Sequence, residues 1–296
     1  MQFKKILVGV DFSEVTETVI NSAVYIGKIF GAEIKLVHVI ENTLFPVALD
    51  DLEPFVDPKE FQKIVEKIEE LTQISSEKLK SIAEKLSKEE GIKTSFSIVT
   101  GDIAEEILDI CEKENFDLVV IGAHRNTISE SLLLGNEAEK IVNKARSSVL
   151  VIKGNSLQNI KKLLVGYDFL PNSIEALETA KEIAKKIGAE IDIVHADTEE
   201  SYAHFSHIYE TVFQKKISML KELKKNLEKE GLKVDFEIIK TTPDRAILEA
   251  IKDFTPDLVI VGKRQRKDIK RFFLGTIAMK VVKNSPVSVL IARKRN

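Results

Sequence analysis

The 296-residue chain has one cysteine, Cys111, and no tryptophan. A single thiol excludes an internal disulfide and any zinc site built from several cysteines. Aromatic residues make up 6% of the chain, too few for the rings on which proteins stack single-stranded nucleic acid. No apolar run approaches the roughly 18 residues of a transmembrane helix, so no membrane partner is expected. Met1-Gln2-Phe3-Lys4-Lys5 leads straight into a strand-like run without the apolar region and cleavage site of a signal peptide. The expected location is cytoplasmic. There is no Ser-His-Asp order, no HExxH and no Walker GxxxxGK followed by Ser or Thr, and no catalytic residue is assigned.

What is present suits a globular protein. Apolar residues are 44% and charged residues 31%, enough to build cores, and the length suggests two domains. The net charge of −3 conceals an asymmetry. Residues 1–155 carry 18 Lys and Arg against 27 Asp and Glu, and residues 156–296 carry 26 against 20. An anionic ligand should prefer the second half.

The two halves repeat one text. Lys5-Ile6-Leu7-Val8-Gly9-Val10-Asp11-Phe12 returns as Lys162-Leu163-Leu164-Val165-Gly166-Tyr167-Asp168-Phe169, and Gly31-Ala32-Glu33-Ile34 returns as Gly188-Ala189-Glu190-Ile191, both at an offset of 157. Asp117-Leu118-Val119-Val120-Ile121-Gly122 returns near Asp257 to Gly262, and Ser148-Val149-Leu150 as Ser288-Val289-Leu290, at an offset of 140. The 17-residue difference lies between the second strand and the long helix of the first copy, where residues 42–57 hold Pro46, Pro54, Asp50, Asp51, Glu53 and Asp57 and read as an acidic surface loop or lid. Residues 153–159 read as a linker, which gives domains of residues 1–153 and 160–296.

Each copy alternates short β-branched runs with helical spacing. Residues 6–10, 34–40, 118–121 and 149–152 are almost wholly apolar, as in a parallel sheet covered on both faces. Phe61, Ile64, Val65, Ile68 and Leu71, continued by Leu79, Ile82, Ala83 and Leu86, share one helix face, as do Tyr209, Val212, Phe213, Ile217, Leu220, Leu223 and Leu227. The expected fold is two tandem open α/β domains of Rossmann-like type. Each would be a mostly parallel five-stranded sheet with helices on both faces. Ligands in such sheets bind beyond the strand C-termini where the connection order reverses.

Asp11 and Asp168 leave the first strand of each copy at that edge. Each can accept hydrogen bonds from ribose hydroxyls or backbone amides, or act as a helix N-cap. The fourth strands end in Gly122 and Gly262, and a loop leads to Gly135-Asn136 or Gly275-Thr276 before a helix. Glycine lets backbone approach a phosphate, and a helix N-terminus favours its charge. The loop of residues 263–271 holds six basic residues and one acid, whereas residues 123–131 set Arg125 against Glu130. Lys and Arg there suit either a phosphate or a solvated, partner-facing loop.

Together, the strand-one aspartate before Phe, the Val-His second strand, Gly101-Asp102-Ile103-Ala104-Glu105-Glu106-Ile107, the Asp-Leu-Val run ending in glycine and the closing Ser-Val-Leu strand resemble the universal stress protein family. The resemblance covers both copies. It implies a stress-response regulatory protein, a tandem of a domain that otherwise pairs as a homodimer. The last strands, Val149-Leu150-Val151-Ile152 and Val289-Leu290-Ile291-Ala292, would then meet antiparallel within one chain, and tandem chains could pair again. The nucleotide-binding branch of the family has glycine, two residues, glycine, nine residues, glycine, then Ser or Thr. Here Arg125 and Gln265 replace the middle glycine, and Asn136 replaces the Ser or Thr of the first copy. The resemblance implies ATP or AMP, with or without Mg2+, in the second copy through Asp168, Ala196, Gly262, Arg264, Gly275 and Thr276. Asp11, Val39, Gly122 and Gly135 form the degenerate counterpart. The alternatives are an interaction module of the same fold without nucleotide, and a weak ATP hydrolase.

Other signals read plainly. His38 and His195 are expected as satisfied core or strand-end histidines. His204 and His207 lack further ligands for a metal. Cys111 lies on an amphipathic helix among acids and reads as packing. The basic run of the second half carries no nucleic-acid reader motif, so that partner is not expected.

Overall fold

The computed structural model describes residues 3–41, 56–125, 132–198, 206–263 and 275–293. The chain divides into two compact units, Phe3–Val120 and Ile121–Asn296.

The unit Phe3–Val120 contains β1 (Lys5–Gly9), α1 (Thr16–Phe30), β2 (Glu33–Glu41), α2 (Pro58–Glu89), β3 (Thr94–Gly101), α3 (Ile103–Lys113) and the start of β4 (Leu118–Gly122). The strands lie in the order β4–β1–β2–β3, all parallel, with Ile6 opposite both Ile34 and Leu118. Ile6, Leu7, Val8, Leu118, Val119 and Val120 are fully buried. Cover on both faces explains why these strands read as unbroken apolar runs. Gly31 closes α1 in the left-handed region, at φ 65, with its N–H on the Gly27 carbonyl. Asp57 caps α2 by accepting from the Lys59 amide, ahead of Pro58 in the first turn. Asp102 caps α3 through the Glu105 amide.

The unit Ile121–Asn296 continues with β5 (His124–Arg125), β6 (Leu132–Leu133), α4 (Asn136–Lys144), β7 (Ser148–Ile152), β8 (Lys162–Gly166), α5 (Pro171–Ile187), β9 (Glu190–Ala196), α6 (Ser206–Lys229), β10 (Val234–Ile239), α7 (Pro243–Phe254), β11 (Leu258–Gly262), α8 (Thr276–Asn284) and β12 (Val289–Ala292). Its strand order is β10–β9–β8–β11–β12–β7. All pairs are parallel except the last, where β12 runs antiparallel to β7 with Leu290 opposite Leu150. This pairing is why α4 and β7, which belong to the first repeat in sequence, count with the second in space. The short antiparallel ladder of β5 and β6 lies in a stretch that the sequence suggested was loop throughout.

One device recurs in each unit. Asp117 accepts the amides of Lys4 and Lys5 at 2.9 and 3.0 Å, and Asp257 accepts those of Lys161 and Lys162 at 2.7 and 2.9 Å. Each carboxylate thereby ties the start of the fourth strand to the start of the first. The two aspartates of the repeated Asp-Leu-Val motif thus serve the fold.

Candidate functional site

In the second repeat, β8, β9 and β11 are parallel and end at one edge. Asp168 follows β8, Ala196 closes β9 and Gly262 closes β11. The chain leaves β8 toward β9 on one side and returns to β11 on the other, so Asp168 and Gly262 flank the switch in connection order.

Asp168 is exposed, and its Oδ1 accepts the Leu170 amide at 3.0 Å. Its own N–H donates to Ser173 Oγ at 3.1 Å, which donates in turn to the Leu170 carbonyl. This turn leaves the second carboxylate oxygen of Asp168 without a protein donor among the described residues. Asp11 is more deeply committed. Its Oδ1 accepts from the Ser13 amide at 3.0 Å, Ser13 Oγ at 2.7 Å and Thr16 Oγ1 at 2.8 Å. In both repeats the next residue, Phe12 or Phe169, holds a left-handed φ of 57 or 64°. An aromatic residue there is an outlier that its surroundings must hold in place.

Gly262 has a structural reason to be glycine. A Cβ on it would lie 2.0 Å from the carbonyl oxygen of Asn172 and 2.3 Å from its carbonyl carbon. The bare Cα admits the first turn of α5. The expectation that this glycine exists for a phosphate is therefore not required by the packing. Lys263, first of the six basic residues, is buried. It is 4% exposed and donates to the carbonyls of Val142, Asn143 and Ala145. Arg264, Gln265 and the rest of that basic run lie outside the described residues, as do residues 126–131 and the acidic segment 42–55.

The two helix starts differ. Gly275 is the N-cap of α8 (φ −59°, ψ 145°), with no side chain capping the helix and no acid in its first turn; Thr276 is exposed. Gly135 caps α4 in a similar way, but Glu137 and Glu139 occupy that first turn. The first amides of any helix lack intrahelical partners, and nearby carboxylates compete with an anion for them. The α8 start is thus the one of the two that favours a phosphate. Asp11 and Val39 belong to the unit Phe3–Val120, and Gly122 and Gly135 to the other.

His38 lies within β2, and His195 is next to last in β9. His38 Nδ1 donates to the Val10 carbonyl at 2.7 Å and His195 Nδ1 to the Tyr167 carbonyl at 2.8 Å. A carbonyl only accepts, so the proton is on Nδ1. The rings of Phe12 and Phe169 rest on these imidazoles at 4.6 and 5.1 Å between centroids. Burial holds His195 below the usual imidazole range, against the pull of the Tyr167 carbonyl. Its Nε2 is buried without a partner. His204 lies outside the described residues. Cys111 is buried.

A buried cluster at the end of β9 was not evident from the sequence. Asp197, 1% exposed, accepts Tyr209 O–H at 2.5 Å and Lys216 Nζ at 2.7 Å. Burial alone would raise its pKa, but these two partners overcome that and hold the carboxyl below the ordinary range. Lys240 lies over the stacked rings of Tyr209 and Phe213. The signal available was an acid after Ala196, where the first repeat has Ile40.

These repeats can be set beside known proteins. A model of the universal stress protein family matches residues 2–153 and again residues 159–293. The chain belongs to that family. Universal stress protein MJ0531 of Methanocaldococcus jannaschii is 34% identical over 154 residues, 51% of this chain and 82% of that protein. Universal stress protein MJ0577 of the same organism is 30% identical over 159 residues, covering 52% and 96%. The crystal structure of a universal stress protein from Archaeoglobus fulgidus covers all of both chains, with a TM-score of 0.75 at 24% identity, a likeness of fold. Each Methanocaldococcus protein aligns with about half of this tandem universal stress protein. No helix among the described residues is long and apolar enough to cross a membrane.

Proposed function

We propose that this tandem universal stress protein is a regulatory module that binds an adenine nucleotide, ATP or AMP, in its second repeat, with the first repeat degenerate. The observation that carries the reading is the contrast between the two helix starts, α8 free of acids and α4 bearing Glu137 and Glu139. In this reading the amides of the first turn of α8 and the Thr276 hydroxyl hold phosphoryl oxygens. The second oxygen of Asp168 accepts a ribose hydroxyl, and the backbone of Ala196 lies beside the base. Gly262 acts indirectly, by seating α5 and with it the turn that aims Asp168. Its output would be a change of conformation or partner. No nucleophile with a positioned base is found among the described residues, and none supports hydrolysis.

A second reading, an interaction module without nucleotide, is favoured by the packing of Asn172 over Gly262. Equilibrium binding of labelled ATP and AMP to the purified chain separates the two. The expected result is saturable binding that Gly275→Asp abolishes and Gly135→Asp leaves intact. Absence of binding, or binding that survives Gly275→Asp, overturns the first reading.

A further inference from the structure

Serines lock the β7–β12 pairing reciprocally. The Lys153 amide donates to Ser288 Oγ at 3.0 Å and the Arg293 amide to Ser148 Oγ at 3.1 Å. Just beyond each strand sits buried positive charge. Lys153, 3% exposed, aims Nζ at the end of α8, at 2.8 Å from the Ser285 carbonyl and 3.3 Å from that of Lys283. Lys263 caps the end of α4, at 2.7 Å from the carbonyls of Asn143 and Ala145 and 3.0 Å from that of Val142. Arg293 Nη1 donates to the same Ala145 carbonyl at 2.7 Å. Among the described residues, neither lysine has an acidic partner. Helix C-termini favour cations, yet a buried ammonium without a counter-ion remains costly. The arrangement is lopsided, because Ala123 stands in the first repeat where Lys263 stands in the second.

We propose that Lys153 and Lys263 make the β7–β12 pairing a proton-sensitive joint that loosens on acidification and tightens as the medium becomes alkaline. Burial pushes Lys263 down to about 7, with repulsion from Arg293 acting in the same direction. Burial pushes Lys153 to about 8. When the joint opens, both amines meet water and regain the ordinary lysine value of 10.5. Opening therefore takes up protons above pH 7, and by linkage it becomes harder as pH rises. The neighbouring elements carry Glu137, Glu139, Lys140 and Lys144 on α4, Arg146 after it, and Lys280 and Lys283 on α8. Glu137 pairs with Lys140 and Glu139 with Lys283.

Native-state amide exchange of residues 149–152 and 289–292 from pH 6.5 to 9, corrected for intrinsic rates, tests the joint. The opening constant should fall about tenfold from pH 7 to 8 and about 50-fold from 8 to 9. Lys263→Met should reduce the first change to about twofold, and Lys153→Met should reduce the second to about tenfold. Lys263→Arg, which keeps the donors and cannot lose its charge in this range, should flatten the slope as Lys263→Met does, and stands in for it should that variant not fold. A flat profile in the wild type, or variants that keep its slope, overturns the proposal. So does the same slope at the amides of β1 and β2, which would mean global unfolding.

Discussion

Replacing Gly262 by alanine adds one methyl group at a place with no room for it. The new Cβ would lie 2.0 Å from the Asn172 oxygen and 2.9 Å from its Cβ. The obstruction is main chain, so no rotamer change relieves it. Reaching ordinary contact requires a retreat of roughly 1.4 Å by α5 or β11, given the usual spacing of nonbonded atoms. β11 is fixed between β8 and β12, and the first turn of α5 is tied to Asp168 and Leu170 through Ser173. Overpacking of this kind costs about 1–3 kcal/mol, and a rigid backbone obstruction belongs at the top of that range. The entropy that alanine removes from the unfolded chain returns about 0.4–1 kcal/mol, too little to cancel it. Gly166→Ala is the control. Its Cβ would meet the Cδ1 of Ile247 at 2.7 Å, the free end of a side chain that can swing away, so the loss should stay below about 1 kcal/mol. Urea denaturation followed by circular dichroism measures both. Equal midpoints for the two variants would refute the packing argument. If Gly262→Ala kept its stability and lost only nucleotide affinity, the glycine would belong to the ligand instead.

Two further substitutions follow from the same geometry. Thr255 ends α7 at a left-handed φ of 47°, where the first repeat has Asn115 at 62°. Thr255→Asn should raise stability by about 1 kcal/mol in urea denaturation, since a β-branched residue fits that region poorly and asparagine is at home there; an unchanged or lower midpoint would contradict this. Lys216→Met leaves the buried carboxylate of Asp197 with Tyr209 alone and should cost about 3 kcal/mol, the lower end for a broken buried pair because Lys216 is partly exposed. The folded pKa of Asp197 is depressed, so its contribution is present above the ordinary carboxylate range and fades as pH falls through the folded value. In the variant that fading should begin at higher pH, and an identical acid-unfolding profile would count against the pair.

The architecture was legible because burial writes itself into sequence. Strands covered on both faces need apolar residues at successive positions, and Ile6, Leu7 and Val8 return as Leu163, Leu164 and Val165 for that reason. The antiparallel meeting of β7 and β12 followed from the family resemblance, and the pairing of Leu150 with Leu290 has that form. The site was less legible. A run such as residues 263–271 announces charge but not direction, and Lys263 points into the protein while its sequence neighbours lie outside the described residues. Asp11 and Asp168 are the same residue after the same strand, yet Ser13 and Thr16 engage the first where Leu170 and Ser173 shape the turn around the second. Sequence reasoning weighed acceptor against cap for both, and only the neighbouring hydroxyls separate them.

The differences between the repeats also bear on how a duplicated domain divides its work. Core positions hold apolar residues in both copies, because a change there is felt by the whole sheet. Divergence collects at the strand exits and helix starts. Ala123 stands against Lys263, Ile40 against Asp197, Glu137 against Ile277 and Ser13 against Leu170. Each pair exchanges a polar or charged group for an apolar one at a position that the fold tolerates. In the second copy Asp197 and Lys263 are buried charges where the first has apolar residues, and the start of α8 carries no acid. Asp197 is tied there to Tyr209 and Lys216 on α6, and Lys263 to the carbonyls at the end of α4.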